Sequence, residues 1–99
     1  MPKIKITVMR KARYDDLIKK YENPLENPCE MVVGKVFYSF GEIPDGFCNN
    51  AWENVGPFVK ALVNGGGNFY GGWMKDTKSA MISCNDGFRP VSFYIEVCE

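Results

Sequence analysis

The sequence predicts a single α+β domain over residues 1–99, with the approximate element order β-α-β-α-β-β and a mostly antiparallel sheet packed by an interrupted helix. Three observations lead to this fold class. Both ends of the chain alternate apolar and polar residues, as half-buried strands do. Two segments between them carry apolar residues at helical spacing. A length of 99 residues suits one domain with one core.

The two terminal segments carry the clearest strand patterns. KIKITV places Ile4, Ile6 and Val8 on one face and lysine and threonine on the other. The last segment, PVSFYIEVC, alternates in the same way, and its inward positions are Val91, Phe93, Ile95 and Val97. We expect these two strands to lie side by side or near each other in one sheet.

The segment YDDLIKKYE predicts the first helix. Its apolar residues Tyr14, Leu17, Ile18 and Tyr21 fall on one helix face. Two aspartates lie in its first turn and two lysines in its last turn, which suits the helix dipole.

Two shorter strands complete the predicted sheet. GKVFYSF predicts a strand, and SAMISC predicts another that leads through the turn CNDGFRP into the last strand.

The segment NNAWENVGPFVKALVNGGG predicts the second helix. Asn50 is the expected N-cap, and Glu53 is the expected partner in a capping box. Gly56-Pro57 lies inside the apolar pattern, and a proline there removes a backbone hydrogen bond. We therefore expect either a kink or two short helices, with Pro57 in the first turn of the second.

The glycine-rich loop LVNGGGNFYGGWM follows this helix. It lacks the GK[ST] ending of a phosphate-binding loop, and it lies between a helix and a strand, the reverse of a dinucleotide-binding turn. Gly65 is placed to end the helix in a left-handed conformation. The rest of the loop is either a mobile flap that lays aromatic rings over a pocket or a plain loop anchored in the core by Trp73 and Met74.

The composition excludes several chemistries. The chain has no histidine, which removes the commonest general base, the Ser-His and Cys-His nucleophile pairs and all histidine metal sites. No apolar run reaches the roughly 20 residues that span a bilayer. The N-terminus does not resemble an export signal, so we expect a cytoplasmic protein whose cysteines are thiols or ligands rather than disulfides.

Charge is unevenly distributed along the chain. Residues 1–20 carry seven basic and two acidic groups, 7 − 2 = +5, and the remaining 79 residues balance them, since the net charge is zero. We interpret the bias as a solvated edge strand and helix face, with an acidic partner as the alternative. A neutral total argues against nucleic acid as the main partner.

Two cysteines are candidates for thiolate chemistry. Cys48 lies just ahead of a predicted helix start, and Cys84 lies near Asp86 and Arg89. Both are equally interpretable as small buried apolar residues. Arg89 is suited to binding a carboxylate or phosphate, or to pairing with Asp86.

A metal site would need Cys29, Cys48 and Cys84, for zinc or iron. Their spacings of 19 and 36 residues give it no support, because structural zinc sites favour closely spaced pairs. No cofactor is favoured.

Several motifs resemble those of a family of small, functionally uncharacterised prokaryotic proteins of about 90–110 residues, often found in anaerobes. The most specific are G-F-C-x-x-A-W, which contains Cys48 and Trp52, and C-x-D-G-x-R-P-V, which contains Cys84, Asp86 and Arg89. The resemblance covers nearly the whole chain and implies no reaction. It implies that Cys29, Cys48, Cys84 and both tryptophans belong to the residue pattern that members of the family share. This chain departs from the pattern at Ser83, where a second cysteine is often expected, and in the longer glycine loop.

These observations favour a non-catalytic function over an enzyme. The favoured hypothesis is a ligand-binding module or an accessory protein-interaction module with a cleft lined by tryptophan and cysteine. Its ligand-binding residues would be Trp52, Trp73, Phe69 and Arg89. The alternative is a redox enzyme or metal-binding protein that uses a thiolate or thiolate-bound zinc or iron at Cys48 and Cys84. The partner would be a small molecule or another protein, and a homo-oligomer is left open.

Overall fold

A computed structural model describes residues 2–24 and 31–98. The described elements are β1 (Ile4–Lys11), α1 (Asp15–Tyr21), β2 (Val36–Ser39), α2 (Asn49–Val63), β3 (Ser79–Ser83) and β4 (Val91–Val97). This is the predicted α+β order, β-α-β-α-β-β. A single 3₁₀ turn, Phe69–Gly71, lies in the loop between α2 and β3.

The four strands form one open sheet in the order β2-β1-β4-β3, and every neighbouring pair is antiparallel. The terminal strands β1 and β4 therefore pair directly, as their patterns predict, with Ile6 opposite Ile95. Since β1 lies between β2 and β4, the expectation that its lysines mark an edge strand is wrong. The two edges are β2 and β3.

The core lies between one face of the sheet and α2. Ile4, Ile6, Phe93 and Ile95 have no exposed surface, and Val55 and Val59 of α2 pack against them. Such burial is the main favourable term in folding. The lysines and tyrosines at alternate positions lie on the opposite face of the sheet.

Helix α2 differs from its prediction in two ways. Cys48, not Asn50, is the N-cap residue, and its side chain makes no capping hydrogen bond. The helix also runs through Pro57 as one element of 15 residues, so the expectation of two short helices is wrong. The buried side of the helix continues on both sides of Pro57, through Val55, Val59 and Leu62.

Helix α1 forms where it was predicted, but none of its residues is buried. Tyr14 and Tyr21, on its apolar face, are 45% and 67% exposed. The attachment of this helix comes from its ends: the N–H of Tyr14 donates to the carbonyl of Phe88, 2.9 Å away.

The glycine-rich loop is fastened at its base. Gly65 ends α2 with φ +87°, as predicted. The ammonium of Lys78 donates to the carbonyls of Gly65 and Gly66 at 2.7 and 3.0 Å, and the N–H of Asn68 donates to the carbonyl of Thr77. Trp73 is 79% exposed, so the expectation that it closes the core is wrong.

Candidate functional site

Cys48 and Cys84, the predicted thiolates, are both half-buried and pack against the core. Cys48 caps the start of α2. The sulfur of Cys84 accepts the backbone N–H of Val91 at 3.3 Å, while its own N–H donates to the carbonyl of the same residue. Cys84 therefore extends the pairing of β3 with β4 beyond the end of the strand.

Asp86 and Arg89 form the turn between β3 and β4. One carboxylate oxygen of Asp86 accepts the backbone N–H groups of Phe88 and Arg89, at 2.8 and 3.2 Å. The guanidinium of Arg89 pairs instead with the carboxylate of Glu22, 2.6 Å away. The expectation that the side chains of Arg89 and Asp86 pair is therefore wrong. Both residues have a structural role in this turn.

The described residues contain no group of three histidine, cysteine, aspartate or glutamate side chains that could hold a metal ion. Cys29, the third member of the predicted metal site, lies outside the residues that the structure describes.

The predicted ligand-binding aromatic residues fall into two groups. The ring of Trp52 packs edge-on against Phe47, 5.8 Å between centroids, and it covers Gly56. Phe69 and Trp73 belong to a second group, which we call the aromatic ridge: Phe58, Phe69, Tyr70 and Trp73. In the spatial order Phe69, Phe58, Tyr70, Trp73, each ring centroid lies 5.0–6.0 Å from the next, and Trp73 forms the exposed end.

An open groove of about 520 Å³ separates α2 from the edge strand β3. Its walls are Glu53, Asn54, Pro57 and Phe58 of α2, Met81, Ile82 and Ser83 of β3, and Tyr70 of the aromatic ridge. Neither tryptophan lines this groove, and none of the three described cysteines does. Its position depends on the strand order, so the sequence alone could not have revealed it.

The backbone of β3 offers hydrogen-bonding groups along this groove. The N–H of Cys84 bonds to Val91 and the N–H of Val97 bonds to Lys78, which fixes the phase of the ladder between β3 and β4. Because alternate residues bond in an antiparallel ladder, Ala80 and Ile82 face β4, while Ser79, Met81 and Ser83 face away from it.

One of these outward-facing backbone groups already has a hydrogen-bond partner. The side-chain amide of Asn54 donates to the outward carbonyl of Ser83, at 3.2 Å. Among residues 2–24 and 31–98, no hydrogen bond reaches the outward N–H or C=O of Met81. The side chain of Met81 is 46% exposed. A free donor and acceptor thus lie at the centre of the edge, beside an apolar groove.

No family model, curated protein or solved structure matches the chain. The resemblance to a family of small prokaryotic proteins therefore stays a prediction. Within the described part of the chain, no helix has the length and apolar character that crossing a bilayer requires.

Proposed function

We propose that this chain is a protein-interaction module that binds an extended segment of another polypeptide along the free edge of β3. The observation that carries the proposal is the unpaired, outward backbone of Met81 beside the groove between α2 and β3. An exposed strand edge is a template for pairing with another chain. Strand addition combines main-chain hydrogen bonds with side-chain contacts in an adjacent groove.

The groove supplies those side-chain contacts. In an added strand, alternate side chains point towards the α2 side of the sheet. There they would meet Phe58 and Tyr70 at one end of the groove and Glu53 at the other. Trp73 extends the apolar surface beyond Tyr70, since the two ring centroids lie 5.0 Å apart. Exposed aromatic side chains of this kind are enriched among residues that dominate binding energies.

This geometry favours a polypeptide over a small molecule. The groove lies open along the strand edge, whereas small-molecule sites bury most of the ligand surface. The thiolate alternative has no comparable support, because both cysteine sulfurs are half-buried against the core, and that of Cys84 is already a hydrogen-bond acceptor.

The test is a titration of isotope-labelled protein, at low micromolar concentration, with a nine-residue peptide of alternating valine and threonine. We expect chemical-shift changes along Ser79–Ser83 and at Phe58 and Tyr70. A version of this peptide methylated on every backbone nitrogen has no donors on either edge. It should bind roughly 5- to 160-fold more weakly, since two neutral hydrogen bonds contribute about 1–3 kcal/mol.

Two proline variants provide a matched comparison. Met81→Pro removes the outward N–H of residue 81 in β3. Edge strands tolerate proline where the N–H faces solvent. Tyr38→Pro does the same on the other edge: Val8 and Lys35 are bonded, so the N–H of Tyr38 also points away from β1. Met81→Pro should abolish peptide binding and Tyr38→Pro should preserve it. Equal binding by both variants contradicts the proposal, and so does the absence of binding by an unchanged protein that is monomeric at the concentration of the titration.

A further inference from the structure

The sequence of β3 is nearly symmetric about its central residue. Ser79 and Ser83 flank Met81 at equal distances, and all three direct their backbone groups outward. A two-fold axis through Met81 would place a second β3 antiparallel to the first. Met81 would then lie opposite Met81 and exchange two hydrogen bonds with it. Ser79 would lie opposite Ser83, whose N–H faces outward and whose carbonyl already accepts from Asn54.

We infer that the strand received at this edge is β3 of a second copy of the chain. The inference rests on the proposed function and names its partner. The paired strands would join two four-stranded sheets into one of eight strands, by the self-complementary contact that two-fold dimers use.

The side chains suit this register on both faces of the sheet. Ala80 and Ile82 are buried on the α2 side, and the two-fold places each opposite the other across the interface. The apolar core would therefore continue from one copy into the next. On the other face, the exposed side chain of Met81 would lie against its own counterpart.

Charge complementarity supports a second copy as the occupant. Glu53 lies at the Ser83 end of the groove, since the next residue, Asn54, bonds to Ser83. Lys60 lies two helical turns further along α2, roughly 10 Å towards the Ser79 end. Both are exposed, and neither is among the ion pairs of the described residues.

The two-fold axis reverses the direction of the edge. It brings the acidic end of each copy to the basic end of the other, where Lys60 and Lys78 lie. A copy added in the parallel direction would instead align like charges, which is unfavourable. The charges therefore favour the same antiparallel arrangement as the backbone.

Helix α2 would complete the contact. It lies on the same face of the sheet in both copies and borders β3 in each. The two helices would run antiparallel beside the paired strands, with the groove residues Phe58 and Tyr70 between them. Such packing would remove from water the apolar surface that the single chain exposes there.

The experiment is sedimentation equilibrium of the full chain from 1 to 500 μM. We expect a dimer for the unchanged protein, a monomer for Met81→Pro, and a dimer for Tyr38→Pro. A monomer at every concentration overturns the inference. So does a dimer that persists in Met81→Pro while circular dichroism shows that the variant is folded.

Cross-linking tests the register independently. Directly opposed residues of a hydrogen-bonded pair have Cα atoms about 5.5 Å apart, within the range that a disulfide spans. Met81→Cys should therefore give a disulfide-linked dimer under mild oxidation, identified as the 81–81 peptide by mass spectrometry. Ser83→Cys should not link to itself, because the two copies of that residue would lie more than about 10 Å apart along the strands. The opposite result overturns the register.

These outcomes separate the two proposals. A monomeric protein that still binds the alternating peptide along β3 would refute the second copy and leave the proposed function standing. A protein that neither dimerises nor binds the peptide would refute both.

Discussion

The guanidinium of Arg89 pairs with the carboxylate of Glu22, 2.6 Å away, across 67 residues of sequence. Both side chains are largely buried, with 19% and 11% of their surface exposed. Glu22 is the C-cap of α1, and Arg89 lies in the turn before β4. Because α1 has no buried residue, this pair is a principal link between the helix and the sheet.

We expect Glu22→Gln to lower the free energy of unfolding by about 1–3 kcal/mol, because it leaves the charge of Arg89 buried without its partner. Urea unfolding measures the loss. The double variant Glu22→Gln with Arg89→Met should recover part of it, since no unpaired charge remains.

Glu42, an exposed carboxylate outside this pair, provides the control. Glu42→Gln should change the stability by less than about 0.5 kcal/mol. Losses of equal size at Glu22 and Glu42 would show that the Arg89 pair contributes nothing particular.

The helix α2 contains a proline at its centre. Pro57 cannot donate a hydrogen bond to the carbonyl of Glu53, and its ring is exposed at the groove. Pro57→Ala should therefore raise the free energy of unfolding by about 1–3 kcal/mol. Lys60→Ala, on the same helix, should leave it within about 0.5 kcal/mol. A loss of stability in Pro57→Ala would mean that the helix depends on the proline.

Sequence patterns predicted the elements better than their arrangement. The alternation at Ile4–Val8 and Val91–Val97 is local, so it identified both strands. Strand order depends on which backbone groups pair across the sheet, and no local pattern records it. The groove beside Met81 and the edge character of β3 follow from that order.

Two local predictions, the side-chain partner of Arg89 and the N-cap of α2, were wrong for a related reason. Asp86 and Arg89 are only three positions apart in the sequence, which suggested that their side chains pair, but the partner of Arg89 is Glu22, in a distant segment. Asn50 had the right chemistry for an N-cap, yet α2 starts at Asn49, two residues before the start that a cap at Asn50 would give. A contact between residues 67 positions apart leaves no local signal at Arg89, so the sequence pattern could not identify Glu22 as its partner.

The ring of Trp52 lies directly over Gly56, one helical turn further along α2. A Cβ at position 56 would come within 2.8 Å of that ring. Alanine normally favours a helix over glycine by about 1 kcal/mol. Here we expect Gly56→Ala to destabilise the protein by about 1–2 kcal/mol instead, because the ring must move away from Phe47.

Tryptophan fluorescence and urea unfolding together check this prediction. Gly87 is the control, since its Cβ would meet nothing within 4 Å. Gly87→Ala should keep both the emission maximum and the stability nearly unchanged. A stabilised Gly56→Ala variant would show that the ring adjusts without cost.

Gly67 lies where the glycine-rich loop passes against the segment before β3. A Cβ at this position would overlap the backbone carbonyl oxygen of Thr77, which also accepts the N–H of Asn68 at 2.6 Å. Backbone cannot move aside as a flexible side chain can, so Gly67→Ala should separate the two segments and cost at least about 2 kcal/mol.

The base of the loop would open with that separation, because Lys78 holds the carbonyls of Gly65 and Gly66 from the same segment. Amide exchange at Asn68 should become faster in Gly67→Ala, alongside the loss of stability in urea. Lys78→Gln removes the charge but leaves the close approach intact, so its effect should be smaller, about 1 kcal/mol. An unchanged exchange rate and an unchanged stability in Gly67→Ala would contradict this prediction. The hydrogen bonds at the base of the loop would then not be what holds Tyr70 beside the groove.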